Sequence, residues 1–321
     1  MKKRAIFPAW SCILQGRKPF LAVEITRECP LHCPGCYAYE EAHLNNGKVL
    51  RQAPEFRGND LVEGVLGLIQ HYRPIHLSIV GGEPLIRQRE MNILLPRLDS
   101  MGLEVQFITS AVQPIPAFWA GLPNLHLVVS VDGLRPEHDR RRAPANYERI
   151  LNNIAGQNIV VHCVILRPML ARPDYLHDFA AFWANRKETR KIWFSLYTPQ
   201  RNEESEERLT AKERATAIEI IARVAKDNPI VYAPKMMLDG YHNPPASPED
   251  CIFAQTTTCI SSDLRTMITP CQLGGQPVCT ECGCVASAGL ASLGRYRLAS
   301  FLKVANIFAL SRWIGETLHS A

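Results

Sequence analysis

Three cysteines in the segment Cys29-Pro30-Leu31-His32-Cys33-Pro34-Gly35-Cys36 stand close enough in sequence to hold one metal centre. Thiolates are the usual ligands of iron–sulfur clusters, and a cubane cluster held by protein alone takes four of them. With three, one iron is left open to a substrate or cofactor, as an open position distinguishes catalytic metal sites from closed structural ones. A zinc knot completed by His32 or by a remote residue is the structural alternative. A second group, Cys251, Cys259, Cys271, Cys279, Cys282 and Cys284, ends in C-x2-C-x-C. Six thiols exceed the need of one tetrahedral zinc and fall short of the eight that fill two cubanes, so one auxiliary 4Fe–4S cluster is expected, with structural zinc as the alternative. Local density favours Cys271, Cys279, Cys282 and Cys284 as its ligands, with Cys259 able to replace one. Cys12 and Cys163 stand alone and read as small buried hydrophobes.

Two further groups bear chemistry. Gly81-Gly82-Glu83 allows a sharp turn with close backbone approach to a ligand, and Glu83 offers a carboxylate to a cationic amine. Ser130 can bond a ribose hydroxyl, and an arginine from the group Arg140, Arg141 and Arg142 can grip a carboxylate as a fork. The alternative for those arginines is a solvated basic loop. Asp132 either turns its own loop or faces a substrate.

The elements that must position these residues are legible as an alternation. Strand patterns fall at residues 20–26, 75–80, 103–109, 125–131, 159–166 and 191–197, and helical spacing at 60–72, 88–101, 144–156 and 173–186. This predicts a parallel sheet covered by helices, an α/β fold: a partial (β/α)6 TIM-type barrel, with an open doubly wound sheet as the alternative of the same periodicity, and in either case chemistry at the C-terminal ends of the strands. All three groups lie at such ends. A helix over residues 210–226, capped by Thr210 with Glu213 three residues on, closes the unit. The expected division is an N-terminal extension over 1–19, the barrel over 20–233, a small Cys-rich domain over 234–289 and an amphipathic helical segment over 290–321.

Composition is globular, with 46% hydrophobic and 21% charged residues in 321. The net charge of +5, with Lys2, Lys3 and Arg4 and the acidic run near Glu203 to offset the arginines, does not indicate nucleic acid binding. Residues 5–15 are broken by Pro8 and lack the core and cleavage site of a secretion signal, and no run is long enough to span a bilayer. A cytoplasmic protein is expected, and in a reducing compartment eleven cysteines call for metal or redox chemistry rather than disulfides.

The C-x3-C-x2-C spacing followed by Tyr37, the Gly81-Gly82-Glu83 turn, and Ser130-Val131-Asp132-Gly133 followed by His138-Asp139-Arg140-Arg141-Arg142 together resemble the radical S-adenosylmethionine superfamily, specifically members with a C-terminal cluster extension of the SPASM or twitch type. The resemblance implies a 4Fe–4S cluster on Cys29, Cys33 and Cys36, and S-adenosylmethionine held by Tyr37, Gly81, Gly82, Glu83, Ser130 and Arg142. It also implies an enzyme of the oxidoreductase or maturase kind, in which the cofactor is split to a 5′-deoxyadenosyl radical that takes hydrogen from a substrate. Cys259 to Cys271 resembles the opening of the C-terminal extension, without the glycine usual in its hairpin. Thr109-Ser110-Ala111 stands where many relatives have Thr-Asn-Gly, which predicts an altered backbone there.

The resemblance further implies a reductant such as flavodoxin or ferredoxin, and a peptide, small molecule or lipid as substrate. The basic and apolar segment after residue 290 is a candidate for peripheral membrane contact. The competing class is non-catalytic, an iron–sulfur electron carrier or a zinc-stabilised binding module; a carrier is expected to bring four cysteines per cluster.

Overall fold

The six apolar runs form parallel strands, β1 (Phe20–Glu24), β2 (His76–Val80), β3 (Glu104–Thr109), β4 (Leu125–Ser130), β5 (Ile159–Ile165) and β6 (Thr189–Leu196). The computed structural model describes residues 6–39, 42–44, 49–295, 297–298 and 302–319, so Lys2, Lys3 and Arg4 lie outside the described residues. A seventh strand, β7 (Thr257–Ile260), pairs in parallel with β1 and extends the sheet to the order β6-β5-β4-β3-β2-β1-β7. The result is an open α/β partial barrel. Four residues are too few to show an alternating pattern, and β7 comes from the Cys-rich stretch over 234–289, so that stretch contributes to the main sheet.

Helices α1 (Ile6–Leu14), α2 (Gly58–Tyr72), α3 (Gln88–Ser100), α4 (Arg135–Arg141), α5 (Tyr147–Asn153), α6 (Tyr175–Ala184) and α7 (Ala211–Asp227) are followed by α8 (Lys235–His242), α9 (Ile252–Thr256), α10 (Val285–Arg295) and α11 (Val304–His319). The Thr210 cap of α7 is a full capping box with Glu213. α1 forms across Pro8 because a proline in the first turn forfeits an N–H that has no helical partner anyway.

Period-two alternation sorts each strand. Leu21, Val23, Leu77, Ile79, Val105, Phe107, Leu127, Val129, Val161, Cys163, Ile192 and Phe194 join one core beneath the helices. The other side of the sheet therefore carries Glu24, Ser78, Gln106, Ser130, His162 and Ser195. Ser130 is in register with His162, and His162 with Trp193. A sheet with one buried apolar side and a partly open side bearing this many polar groups is suited to receive a polar ligand rather than to pack a second layer.

Candidate functional site

The cluster loop leaves the end of β1 and is divided by its packing. Cys29 and Cys33 lie against Leu31, Val112 and Ala145, whereas Cys36 and Tyr37 lie against Ala22, Ala38 and Cys259. All three thiols are half-buried. Burial pushes the Cys29 thiol up to about 12, and raises Cys36 too. Such thiols lose protons when a cationic centre binds them. His32 is exposed, with its Nδ1 3.3 Å from Arg51 Nη2, and stands apart from the thiols' packing. Among the described residues no three His, Cys, Asp or Glu converge on a point that would hold a single ion. Thiols of a polynuclear cluster each meet a different iron and need no such convergence.

The Gly81-Gly82-Glu83 turn is fastened to this loop by backbone. Gly82 N–H donates to the Thr26 carbonyl and Glu83 N–H to the Glu28 carbonyl, each at 2.8 Å. Gly81 has φ +142°, and a Cβ there would lie 2.7 Å from the Thr26 carbonyl oxygen. A Cβ on Gly82 would overlap the Glu28 carbonyl. The glycines are therefore required for the approach of two protein strands.

Glu83, expected to offer its carboxylate to an amine, is held by three donors of the protein. It is 1% exposed. Oε1 accepts from Leu85 N–H at 2.9 Å and from the Thr109 hydroxyl, and Oε2 accepts from Ser110 N–H at 2.7 Å. Burial raises its pKa while these donors oppose the rise. Glu83 thus ties the end of β2 to the end of β3. Ala111, where an altered backbone is expected, adopts φ +50°, the left-handed region that glycine favours. Its N–H donates to the Thr109 hydroxyl at 2.9 Å, and Asn153 Nδ2 donates to its carbonyl at 2.8 Å, so neighbours hold the conformation.

Arg142 completes the junction of the motifs. Its Nε donates to Asp132 Oδ2 at 2.7 Å and its Nη1 to the Ser110 hydroxyl at 2.9 Å. Arg141 shares the same Oδ2 at 2.9 Å, donates to the Pro34 carbonyl in the cluster loop at 2.8 Å, and pairs with Glu207. The basic-loop alternative is therefore set aside for these two arginines. Burial alone would raise Asp132, but Arg142 and Arg141 outweigh it and hold its carboxyl well below the usual range. Asp132 is 2% exposed, and its Oδ1 is buried without a partner. A charged oxygen in that state fits a ligand that brings a donor. His138 accepts from Asp132 N–H at Nδ1 and meets the Ala145 carbonyl with Nε2, a neutral tautomer that folds the arginine loop back on itself.

The C-terminal thiols gather at the ends of β6 and β7. Gly283 N–H donates to the Thr198 hydroxyl and its carbonyl accepts from Leu196 N–H, which lays the Cys282-Gly283-Cys284 turn on β6. A side chain at Gly283 would overlap Leu196, so only glycine fits. Cys259 is buried in β7, and Cys271 and Cys279 are half-buried in the loops that follow. Sequence reasoning counted Cys251 among the six thiols but not among the ligands. It is 8% exposed, its Sγ lies 3.4 Å from Ser287 Oγ, and it stands close enough to Cys279, Cys282 and Cys284 to interact with them electrostatically. His162 also escaped notice, because a histidine within a strand has no spacing signature. His162 Nε2 lies 2.8 Å from Ser195 Oγ, which also accepts from Val285 N–H after Cys284.

Comparison with known proteins agrees with this geometry. The profile of the Radical SAM superfamily matches residues 23–166. A 7-carboxy-7-deazaguanine synthase of Hyperthermus butylicus is 33% identical over 121 residues, which cover 36% of this chain and 47% of that protein. The chain thus spans about half the length of this curated relative. SuiB of Streptococcus suis bound to its precursor peptide SuiA has a similar fold, with a TM-score of 0.55 at 13% identity over 95% of this chain and 67% of that one. So has anSMEcpe bound to AdoMet, with a TM-score of 0.57 at 12% identity over 79% of this chain and 74% of that one. No helix among the described residues is long and apolar enough to cross a membrane. The thiol loop, the turn fastened to it and the profile that spans both identify residues 23–166 as a radical SAM domain, the kind of domain that works with a 4Fe–4S cluster and S-adenosylmethionine.

Proposed function

We propose that Cys29, Cys33 and Cys36 hold a 4Fe–4S cluster and that S-adenosylmethionine lies between it and the ends of β2 to β4. The observation that carries this reading is the continuous link from Arg142 through Ser110 to Glu83, beside a loop with three thiols. Arg142 is oriented for the methionine carboxylate, Gly81 and Gly82 present backbone to the amino group, Ser130 meets the ribose, and Tyr37 packs beside Cys36. Glu83 acts through the turn it fixes. When bound, the cluster supplies the electron that splits the sulfonium to the 5′-deoxyadenosyl radical, which abstracts hydrogen from the substrate. Asp132, with its spare oxygen, and His162 face the space where that substrate enters.

The C-terminal thiols hold an auxiliary 4Fe–4S cluster in this reading. Cys279, Cys282 and Cys284 are its inner ligands, and Cys251, Cys259 and Cys271 are the candidates for the fourth position. Such a cluster suits a net oxidation, a crosslink or dehydrogenation, in which it accepts the second electron. A peptide substrate is favoured by the fold shared with SuiB bound to SuiA; a small molecule or lipid is the other reading, supported by the match to 7-carboxy-7-deazaguanine synthase for the first. A low-potential protein of the flavodoxin or ferredoxin kind serves as reductant, in the cytoplasm.

The test is anaerobic reconstitution, reduction with dithionite in the presence of S-adenosylmethionine, and measurement of 5′-deoxyadenosine. Formation in the wild type and none in the Cys29→Ala, Cys33→Ala, Cys36→Ala triple variant is expected. Equal formation in both would remove the cluster from the proposed loop.

A further inference from the structure

The turn that carries Cys279, Cys282 and Cys284 is held by two arginines in unlike surroundings. Arg208, in the loop before α7, grips the Glu281 carboxylate as a fork, Nη2 to Oε1 at 2.6 Å and Nε to Oε2 at 3.1 Å, with its side chain 36% exposed. Arg214, one turn into α7, is 8% exposed. Its Nη1 donates to the Glu281 carbonyl at 2.8 Å and its Nη2 to the Cys282 carbonyl at 3.1 Å. Since the Gly283 carbonyl accepts from Leu196 N–H, three successive carbonyls of the turn are occupied by donors from residues 196–214.

Two carbonyls satisfy the hydrogen bonds on one edge of a guanidinium but not its charge. Among the described residues no carboxylate pairs with Arg214: Glu281 is within electrostatic reach, but its carboxylate is the one taken by Arg208. Tyr241 is also in reach, yet burial pushes its phenol well up and its hydroxyl donates to the Phe194 carbonyl at 2.6 Å, so it stays neutral. Of the groups around Arg214 only the Cys282 thiol can become an anion. A buried charge without an opposite one is costly, and arginine cannot shed its proton to escape that cost. Burial raises Cys282 as well, so its thiol loses a proton when a cationic centre binds it.

We propose that Arg214 is the counter-ion of the auxiliary cluster and raises its reduction potential, a positioning residue that favours uptake of an electron there. This rests on the reading that the C-terminal thiols hold a 4Fe–4S cluster. Each thiolate brings a negative charge and one-electron reduction adds another, so a fixed cation bonded to the Cys282 carbonyl favours the reduced form over the oxidised one. In a net oxidation the substrate radical gives up that electron, and a proton leaves to solvent. Arg208 has less influence, because water and salt screen it and Glu281 neutralises it.

Redox titration followed by electron paramagnetic resonance tests the proposal, in full-length protein with Cys29, Cys33 and Cys36 replaced by alanine so that only the auxiliary spectrum is read. In Arg214→Gln the ratio of reduced to oxidised cluster at a fixed solution potential should fall by roughly tenfold, which for one electron is a potential about 59 mV more negative. Arg214→Lys keeps the charge and should keep the potential. A cluster that assembles with lysine but not with glutamine would also support the assignment, since the cation is then needed from assembly onward. An auxiliary spectrum at an unshifted potential in Arg214→Gln, equal shifts in the two variants, or loss of the spectrum from both would each overturn it and leave Arg214 as a hydrogen-bonding strut. No auxiliary spectrum in the protein with Arg214 intact would overturn the cluster reading, and this inference with it.

Discussion

Glu24 and His43 form a fully buried pair, with His43 Nε2 2.8 Å from Glu24 Oε1 and neither side chain exposed. Its geometry reaches the C-terminal cysteine group at two points. His43 Nδ1 lies 3.2 Å from the Leu273 carbonyl, two residues after Cys271, and Glu24 Oε2 accepts from the Ser261 hydroxyl, two residues after Cys259. The Nδ1 contact with a carbonyl requires Nδ1–H, so one further proton is shared between Nε2 and Glu24. His43 is therefore a brace between β1 and the loops of the C-terminal thiols. His43→Ala should lower bound iron by up to one cluster's share after reconstitution while leaving the cluster at Cys29, Cys33 and Cys36, as read by iron analysis and electron paramagnetic resonance. Full iron with an unchanged spectrum would show that the brace is dispensable.

Cys251 is expected to matter more than its isolation in sequence suggests. If it is the fourth ligand beside Cys279, Cys282 and Cys284, Cys251→Ser should remove the auxiliary spectrum and Cys271→Ser should leave it. The reverse result would return the fourth position to Cys271.

The shared carboxylate of Asp132 predicts a large stability effect. Both arginine side chains are mostly buried, at 13% and 16% exposed, so Asp132→Ala strands Arg142 and leaves Arg141 with Glu207 alone, and should cost about 3–5 kcal/mol in anaerobic urea unfolding. Asp132→Asn keeps an acceptor oxygen and should cost less. If alanine and asparagine cost the same, the ion pairs contribute little beyond shape.

Three histidines set an acid limit. Burial lowers His76, His138 and His162 to about 4 from the usual 6.5. In the window between those values the unfolded chain binds protons that the folded chain refuses, so stability is whole above pH 6.5 and declines as pH falls toward 4. Each group contributes a slope of about 1.4 kcal/mol per pH unit at most. His138→Gln can keep both hydrogen bonds and should remove about a third of that slope in melts across this range. An unaltered slope would mean that His138 is not buried neutral.

Much of the barrel was legible because its strands and helices repeat periods long enough to read, and the Thr210 capping box is local chemistry. What escaped had other causes. β7 is four residues long and takes its identity from pairing with β1. α1 was hidden by Pro8, whose position in the first turn, rather than its presence, decides its effect. The cysteines and the glycine turn announced their chemistry, but sequence cannot show that Leu85, Thr109 and Ser110 all donate to the Glu83 carboxylate. Glycine was likewise a poor guide to backbone: Ala111 at φ +50° and Leu264 at φ +55° adopt left-handed conformations without it, the latter in the hairpin between Cys259 and Cys271.

The pairing of β7 with β1 also bears on how the chain is made. Until residues 257–260 have left the ribosome, β1 is an open edge, flanked on one side only by β2. An unpaired edge of apolar strand is a template for intermolecular pairing. Some 230 residues of the chain must therefore be synthesised after β1 while that edge waits. Recombinant truncations that stop before β7 should aggregate even though they retain the entire cysteine loop and its glycine turn, and a chaperone that covers β1 during synthesis would raise the yield of the full-length protein.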